Sequence, residues 1–308
     1  MPSVRAGEER FRGEPAIVLD AGEIKATFLP RLGMTGVSLR FRGNERLALP
    51  GGLPALRRGA TLGLPLLAPW ANRLATRRYR AAGIDVDLTR LRVPTDANGL
   101  PMHGLLVGKP GWEIDACEAR GDAARVRASI GIDAPAFPFP HRLTVTVTAI
   151  DNELRVATTI VPSGHRRVPI AFGWHPYLRL PGTARRTWHL RLPGREHREL
   201  DPRGIPTGAS SRERAEASPI GSRTFDDLYA LGRAGGVGRR LALEGAGGAA
   251  VELRCGTGYP FAQIWVPAGR PFAALEPMTA PTNALGAGTA SVVSPGDSFT
   301  ATFSLVLS

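Results

Sequence analysis

Cysteine, lysine and long apolar runs are all scarce in this chain of 308 residues. The two cysteines, Cys117 and Cys255, lack CxxC spacing, so we expect core thiols in a reducing compartment. No run of about 18 apolar residues occurs, which argues against a membrane span. The amino terminus, MPSVRAGEERFRGEP, is charged and has no apolar signal-peptide core. We therefore expect a cytoplasmic protein with no membrane partner.

The positive net charge of the chain comes almost entirely from arginine. Lys25 and Lys109 are the only lysines among 39 basic residues, and the net charge is +12. Such a charge can indicate nucleic-acid binding. The arginines, however, are spread along the chain and form neither a tail nor a stripe. We attribute the charge to composition and expect no nucleic-acid partner.

Several catalytic signatures are missing as well. The chain has no GxGxxG opening a helix after a strand, no GxxxxGK[ST], no HExxH and no GxSxG. Its six histidines show no metal-ligand spacing. Nucleotide-binding, zinc-protease and α/β-hydrolase functions therefore have no support in the sequence, and we expect no metal site.

Alternation of apolar and polar residues is the dominant pattern that is present. HRLTVTVTAI, residues 141–150, alternates as a strand with one buried face does. Similar patterns occupy residues 23–29, 124–132, 153–161, 186–192, 249–255, 261–266 and 298–307. The best helix candidate, Leu62 to Leu74, contains Pro65 and Pro69 and is predicted to be loop or short turns. Many strands cut by Gly and Pro predict an all-β, mostly antiparallel sandwich or barrel.

The organisation of the chain is simple. No repeat and no sharp change in composition divides it, so we predict a single domain over residues 1–308, with residues 1–20 peripheral. Residues 193–224 are polar and turn-rich and are predicted to be a long irregular connection. Such a connection within a compact domain is usually functional or mobile.

Four short stretches place polar side chains among apolar and aromatic neighbours. They are LLAPWANRLA with Asn72 and Arg73, NGLPMHGLL with His103, AFGWHPYLRLPG with His175, and FAALEPMTAPTN with Glu276. A polar group in such surroundings must find a hydrogen bond or lose about 1–3 kcal/mol. Taken alone, each histidine is more simply explained as a hydrogen-bonded structural residue, Arg73 as a member of an ion pair, and Glu276 as a solvated residue at the end of a strand. The combination of two histidines, a glutamate and an arginine indicates a functional site.

The order of the motifs resembles that of the aldose 1-epimerase (galactose mutarotase-like) family. NR is followed by HG, GWHPYLRL, FDDLY, EPMTAPTNAL and SPGDSFTATFSL, and the likeness extends from about residue 21 to the end of the chain. The resemblance implies a large antiparallel β-supersandwich that interconverts the α and β anomers of a free sugar without metal or cofactor. We expect a small-molecule sugar as the partner and a monomer or homodimer.

The resemblance also implies roles for individual residues. Glu276 would be the general base and His175 the general acid. Asp226 is preferred to Asp227 because the family has an Asp three residues before an aromatic. The implied sugar-binding residues are His103, Arg73 and Asp226. We add two sequence neighbours of candidate residues, Asn72 beside Arg73 and Trp174 beside His175. The residues flanking His175 depart from those of galactose-specific members, so the preferred sugar does not follow.

The implied chemistry suits these residue types. Opening a pyranose ring requires removal of the anomeric hydroxyl proton and protonation of the ring oxygen, which a carboxylate and an imidazolium do together. Trp70, Trp174 and Trp265 lie near candidate residues and either line a sugar pocket or pack in the core. Two alternatives stay open. A hexose-6-phosphate 1-epimerase of the same fold would use arginine for phosphate, and a non-catalytic sugar-binding protein would use the fold alone.

Overall fold

The computed structural model describes residues 4–232 and 237–308. Regular structure in them is almost entirely strand. The strands are β1 (Arg5–Phe11), β2 (Glu14–Ala21), β3 (Ile24–Leu29), β4 (Thr35–Phe41), β5 (Asn44–Glu45), β6 (Leu66–Leu67), β7 (Arg78–Ala81), β8 (Ile84–Asp87), β9 (Glu113–Arg120), β10 (Ala123–Ala134), β11 (Phe137–Ile150), β12 (Glu153–Pro162), β13 (Val168–Ile170), β14 (Gly173–Trp174), β15 (Tyr177–Leu178), β16 (His189–Leu192), β17 (Arg195–Leu200), β18 (Pro206–Glu213), β19 (Glu216–Pro219), β20 (Phe225–Ala230), β21 (Arg240–Glu244), β22 (Ala250–Cys255), β23 (Phe261–Val266), β24 (Ala273–Met278), β25 (Ser291–Val293) and β26 (Phe299–Leu307).

Helical structure in the described residues is confined to short pieces. The α-helix α1 spans Gly52–Arg57, and single 3-10 turns occupy Pro30–Leu32, Arg185–Thr187, Val237–Arg239 and Ala246–Gly248. The sequence pattern over residues 52–57 does not indicate α1. Within the described part of the chain, no helix has the length and apolar character needed to cross a membrane.

Two large antiparallel sheets dominate the architecture. The nine-stranded sheet has the order β19-β16-β21-β22-β26-β12-β11-β10-β9. The eight-stranded sheet has the order β18-β17-β20-β23-β24-β14-β6, with β15 also paired to β24. A five-stranded sheet, β1 to β5, and the pairs β7-β8 and β13-β25 complete the fold. The predicted all-β, antiparallel class is confirmed.

The alternating stretches form the strands that they predicted. In β11, Leu143, Val145 and Val147 are fully buried, and the strand pairs along its length with β10 and β12. Apolar side chains of both large sheets, such as Ile264 of β23 and Phe303 of β26, belong to one continuous core. Burial of such side chains contributes about 25 cal/mol per Å² of apolar surface, which makes this core the main source of stability.

The eight-stranded sheet has two chemically different faces. In β23, Ala262, Ile264 and Val266 belong to the core cluster. Gln263 and Trp265, which alternate with them, line a cavity on the opposite face. Because successive side chains of a strand point to opposite faces, the same sheet is fixed by its core and carries polar groups on the cavity side.

Two regions differ from the prediction. Residues 14–20 are not peripheral, since Ile17 and Leu19 of β2 are buried in the core cluster, while residues 1–3 lie outside the described residues. Residues 193–224 contain β17, β18 and β19 instead of an irregular connection. Both β18 and β19 lie at sheet edges and are largely exposed, so they lack the apolar alternation that reveals a strand.

The two cysteines also differ from each other. Cys255 is buried, as expected of a core thiol, and burial raises its pKa to about 12. Cys117 on β9 is only partly buried and packs against the margin of the core cluster, so it is not a fully buried core thiol. Cys117 lies on the edge strand of the nine-stranded sheet, most of whose residues are exposed.

Candidate active site

Neighbouring strands of the eight-stranded sheet bring three polar side chains together. Gln263 on β23 is paired in register with Glu276 on β24, and Asp226 on β20 is paired with Trp265. The Gln263 side-chain amide donates to Asp226 Oδ1 at 2.7 Å. These side chains lie at the base of a cavity of about 270 Å³. Its lining is Thr61, Asn72, Arg73, Met102, His103, His175, Tyr177, Asp226, Gln263, Trp265 and Glu276.

The opposite wall comes from chain segments held by isolated bridges. Ala68 bridges Gly104, and the His103 N–H donates to the Asn72 carbonyl at 2.9 Å. Asn72 and His103 both have positive φ, 54° and 61°, a conformation that costs energy for residues other than glycine. Gly104 follows with φ of 69°, and a Cβ there would collide with the Ala68 carbonyl. The HG dipeptide therefore reflects a backbone contact that only glycine permits.

The centre of the cavity is a direct contact between an acid and an imidazole. His175 Nε2 lies 3.2 Å from Glu276 Oε1, and their side chains are only 6% and 3% exposed. The Tyr177 ring stacks on the His175 ring with centroids 4.5 Å apart, and the Trp265 ring meets it edge-on at 5.5 Å. The Tyr177 hydroxyl is in turn hydrogen-bonded to Thr61 Oγ1 at 2.6 Å. The imidazole therefore has a fixed orientation.

Burial shifts the pKa of three titratable groups at this centre toward the neutral form. Burial raises the pKa of Glu276 well above its ordinary value, and the charge of Asp226 adds to this while Arg73 opposes it. Burial lowers the pKa of His175 to about 3. Burial, followed by the influence of His175 and Arg73, also lowers the pKa of His103 well below its usual range. The Glu276 and His175 pair is thus favoured as a neutral pair that holds one proton.

Arg73 is held at the side of the cavity by three partners. Its Nε donates to Asp96 Oδ2 at 2.8 Å, its Nη1 donates to Asn72 Oδ1 at 3.0 Å, and its Nη2 lies 3.9 Å from Asp226 Oδ2. Burial by itself would raise the pKa of Asp96, but hydrogen bonds from Arg73 and from backbone amides outweigh it and lower that pKa. Gly204 packs against the guanidinium, where an added Cβ would lie 2.8 Å from Nη1. Arg73 is therefore oriented and its charge is compensated.

Four buried polar atoms around the cavity have no hydrogen-bond partner among the residues that the structure describes. They are His103 Nδ1, His175 Nδ1, Gln263 Oε1 and Glu276 Oε2. An unsatisfied buried polar atom costs about 1–3 kcal/mol, and such atoms are rare in folded proteins. All four belong to side chains that line this one cavity, which marks it as a candidate binding site.

The structure brings six of the seven predicted site residues to this cavity. Glu276, His175, His103, Arg73, Asp226 and Asn72 all line it. Asp227, the alternative to Asp226, points to the other face of β20, where its Oδ1 lies 3.5 Å from His197 Nε2. The catalytic and binding roles of the six residues remain predictions.

Trp174 is the exception, and its expected place among the binding residues is corrected. It is fully buried, its indole N–H donates to Thr158 Oγ1 at 3.0 Å, and its ring packs against Phe303 with centroids 5.9 Å apart. Trp70 is likewise buried in the core, whereas Trp265 lines the cavity. Trp174 precedes His175 by one position at the end of β14, and its side chain points toward the core instead of the cavity.

Sequence reasoning missed four of the cavity residues, namely Thr61, Met102, Tyr177 and Gln263. Gln263 was detectable in principle, since it is the one polar side chain in the apolar run FAQIWV. Thr61 gives no such signal, because its relation to Tyr177 depends on the fold of distant segments.

The whole chain has counterparts in fold among solved structures. A curated protein with significant sequence similarity was not found. A galactose mutarotase-like protein from Clostridium acetobutylicum superimposes with a TM-score of 0.89 at 18% identity, covering 100% of this chain and 99% of that one. The galactose 1-epimerase from Lactobacillus acidophilus NCFM gives a TM-score of 0.76 at 15% identity, with 99% of each chain covered.

A third structure, an aldose epimerase homologue from C. elegans, gives a TM-score of 0.75 at 17% identity, again with 99% of each chain covered. At these identities the likenesses establish the fold. The sequence model of the aldose 1-epimerase family matches residues 17–306. Since this match spans nearly the whole chain and includes every residue of the cavity, the protein belongs to the aldose 1-epimerase family.

Proposed function

We propose that this protein interconverts the α and β anomers of a free aldose by general acid and base catalysis. The observation that carries the proposal is the buried contact of 3.2 Å between His175 Nε2 and Glu276 Oε1, in a cavity lined by unpaired polar atoms. An acid and a base within one sugar-sized cavity are what ring opening requires. The cavity of about 270 Å³ suits a single small sugar ring.

The reaction conserves the number of protons on the pair. In the reactive form Glu276 is ionised and His175 is protonated. Glu276 takes the proton of the anomeric hydroxyl, the bond from C1 to the ring oxygen breaks as the C1 carbonyl forms, and His175 protonates the ring oxygen. The pair then holds its single proton on Glu276. After rotation about C1–C2, the reverse transfers close the ring on the other face.

The remaining cavity residues have the chemistry to hold the sugar hydroxyls. Arg73 donates, Asp226 accepts, and Gln263 offers the unpaired Oε1 beside Glu276. The Trp265 and Tyr177 rings provide apolar surface for the C–H faces of a sugar. Correct placement of the anomeric hydroxyl at Glu276 and of the ring oxygen at His175 depends on these contacts.

We expect the purified protein to accelerate anomer interconversion of at least one free hexose or pentose, with the same rate in EDTA. The reason is that proton transfer through Glu276 and His175 needs no Lewis acid. Polarimetry or NMR exchange with freshly dissolved sugars measures this. Loss of activity in chelator, restored by a divalent ion, would contradict the mechanism, whereas tight sugar binding without acceleration would favour a non-catalytic sugar-binding protein.

The contacts of the arginines favour a neutral sugar over a sugar phosphate. Arg73 is the only arginine or lysine in the lining of this cavity as described, and it is already paired with Asp96. Arg77, a candidate for phosphate binding by sequence, donates to the carbonyls of Leu88 and Leu91. Arg78 forms an exposed pair with Asp87. These three arginines therefore offer no uncompensated cluster for a phosphate dianion.

We expect kcat/KM for a free hexose to exceed that for its 6-phosphate and to change little between 0.1 M and 1 M salt. Charge-assisted phosphate binding would weaken, because the Debye length falls from about 10 Å to about 3 Å over that range. Arg78→Ala should leave both substrates unaffected. A strong preference for the phosphate that collapses with salt and in Arg78→Ala or Arg77→Ala would assign the protein to sugar-phosphate epimerisation.

A further inference from the structure

A second cavity lies on the same face of the eight-stranded sheet as the active-site cavity. It has a volume of about 480 Å³, and its floor includes Leu228 of β20 and Phe261 of β23. Leu228 follows Asp226 by two positions, and Phe261 precedes Gln263 by two positions. Because residues two apart share a strand face, the two cavities are offset by about 7 Å along the strands. We call this space, lined by residues from segments 198–209, 260–261 and 279–291 and by Leu228, the second cavity.

The two cavities share part of a wall. Asn283 lines the second cavity, and its N–H donates at 3.0 Å to the carbonyl of Arg73, which lines the first. The Asn283 side-chain oxygen accepts the Ala75 N–H at 2.9 Å. Pro206 lines the second cavity, and Gly204, two residues before it, packs on the Arg73 guanidinium. The second cavity is therefore firmly attached to the active-site framework.

Unpaired polar atoms mark the second cavity as they mark the first. Thr282 is 2% exposed, and its hydroxyl has no hydrogen-bond partner in the described part of the chain. Arg198 Nε is also buried and unpaired among those residues. Three further hydroxyl side chains belong to the same lining: Thr279, whose hydroxyl already donates to a backbone carbonyl at 2.8 Å, and the exposed Thr289 and Ser291. A polyhydroxylated ligand would pair with the hydroxyl groups that have no protein partner, whereas an apolar ligand would leave them unpaired.

The charge and the apolar surface of the second cavity narrow the ligand class further. Arg198 is the only charged residue in its lining as described, and Arg198 Nη2 lies 3.4 Å from Glu196 Oε2, so this charge is balanced. Leu228, Pro260 and Phe261 add apolar side chains to the same lining as the hydroxyl groups. A surface that pairs hydroxyl groups with apolar and aromatic side chains matches the two faces of a sugar ring.

We infer that the second cavity is a binding site for a neutral sugar ring, distinct from the ring that reacts at Glu276 and His175. The ring belongs either to a separate sugar molecule or to the second unit of a reducing disaccharide. This site concerns binding and stands independently of the reaction at the first cavity.

Two substitutions test the inference without touching the active-site cavity. Thr282→Val removes the unpaired hydroxyl and keeps the shape, so the fold should survive. Ala209→Trp places a bulky ring at the exposed rim of the second cavity. Ala119→Trp, at an exposed position of β9 in the other large sheet, is the matched control.

Calorimetric titration with glucose, galactose, maltose and lactose, together with mutarotation kinetics, measures the effects. We expect Thr282→Val to weaken binding at the second site about fivefold, the typical effect of one hydrogen bond, and Ala209→Trp to weaken it at least tenfold. Ala119→Trp should have no effect. Turnover of monosaccharides should stay within about twofold of wild type in all three variants, because none alters the first cavity.

The sugars separate the two sources of the ring. Two equivalents of monosaccharide bound by the wild type, with one lost in Ala209→Trp, indicate a separate sugar molecule. A fall in kcat/KM for maltose or lactose alone in Ala209→Trp indicates a disaccharide that spans both cavities. One equivalent of every sugar, with Thr282→Val and Ala209→Trp indistinguishable from Ala119→Trp, would overturn the inference. Second-site binding without any mutarotation would refute the proposed function instead.

Discussion

Glu276→Gln is expected to lower kcat by about a hundredfold or more, which is the lower end of a general base's usual contribution. The amide keeps the shape of the side chain and can still contact His175, but it cannot accept the anomeric proton. KM should change much less, because the sugar hydroxyls keep their contacts with Arg73 and Asp226. Polarimetry at saturating sugar measures kcat. Glu118→Gln, at an exposed position of β9, serves as the control.

The same substitution should stabilise the protein at neutral pH. The pKa of Glu276 is raised in the folded state. The contribution of this carboxyl to the free energy of unfolding is therefore complete below the ordinary pKa of about 4.3 and is lost as pH rises through the pKa of the folded state. The glutamine variant has no such loss, because its amide does not titrate. Thermal melts should therefore show that the Tm of Glu276→Gln rises relative to the Tm of wild type as pH increases above about 4.3.

If folded Glu276→Gln turns over sugar within a few-fold of the wild-type rate, Glu276 is not the general base.

His175→Gln is expected to lower kcat by a similar factor of about a hundred or more. Glutamine places an amide nitrogen near the position of Nε2, which faces Glu276 Oε1 at 3.2 Å, yet an amide cannot deliver a proton to the ring oxygen. The effect should again fall on kcat more than on KM. Single-sugar progress curves by NMR exchange separate the two parameters.

His165→Gln is the matched control for this variant, because His165 is exposed and is not part of the cavity lining. Circular dichroism and thermal melts show whether the fold survives. Near-normal turnover in folded His175→Gln would mean that another group protonates the ring oxygen. His103, whose ring lies 5.6 Å from that of His175, would then be the next residue to test.

Sequence reasoning succeeded where one physical constraint acts along a continuous stretch. The alternation in β11 and β26 follows directly from a strand with one buried face, and the class of fold follows from many such strands. It failed at β18, since an exposed edge strand has no apolar face to display. It failed again at residues 14–20, whose burial depends on strands that follow later in the chain.

The candidate site also contains some residues that a local sequence pattern indicates and others that only the folded sheet reveals. Glu276 and His175 stood out because polar groups within apolar runs are costly and therefore rare. Trp174 was misplaced because a neighbour in sequence is not a neighbour in space, and its indole is bonded to Thr158 in the core. Gln263 joins the site only through strand register, which pairs it with Glu276 across β23 and β24. Register is a property of the folded sheet and cannot be read from one strand alone.

The contact between Gly104 and the Ala68 carbonyl has a consequence for binding entropy. The bridge at Ala68 and Gly104 leaves no space for a side chain and immobilises the backbone that carries His103. Fixing a residue costs about 1–2 kcal/mol of conformational entropy. Here that loss occurs when the chain folds, before any sugar arrives, so the affinity for a sugar is not reduced by ordering this wall of the cavity.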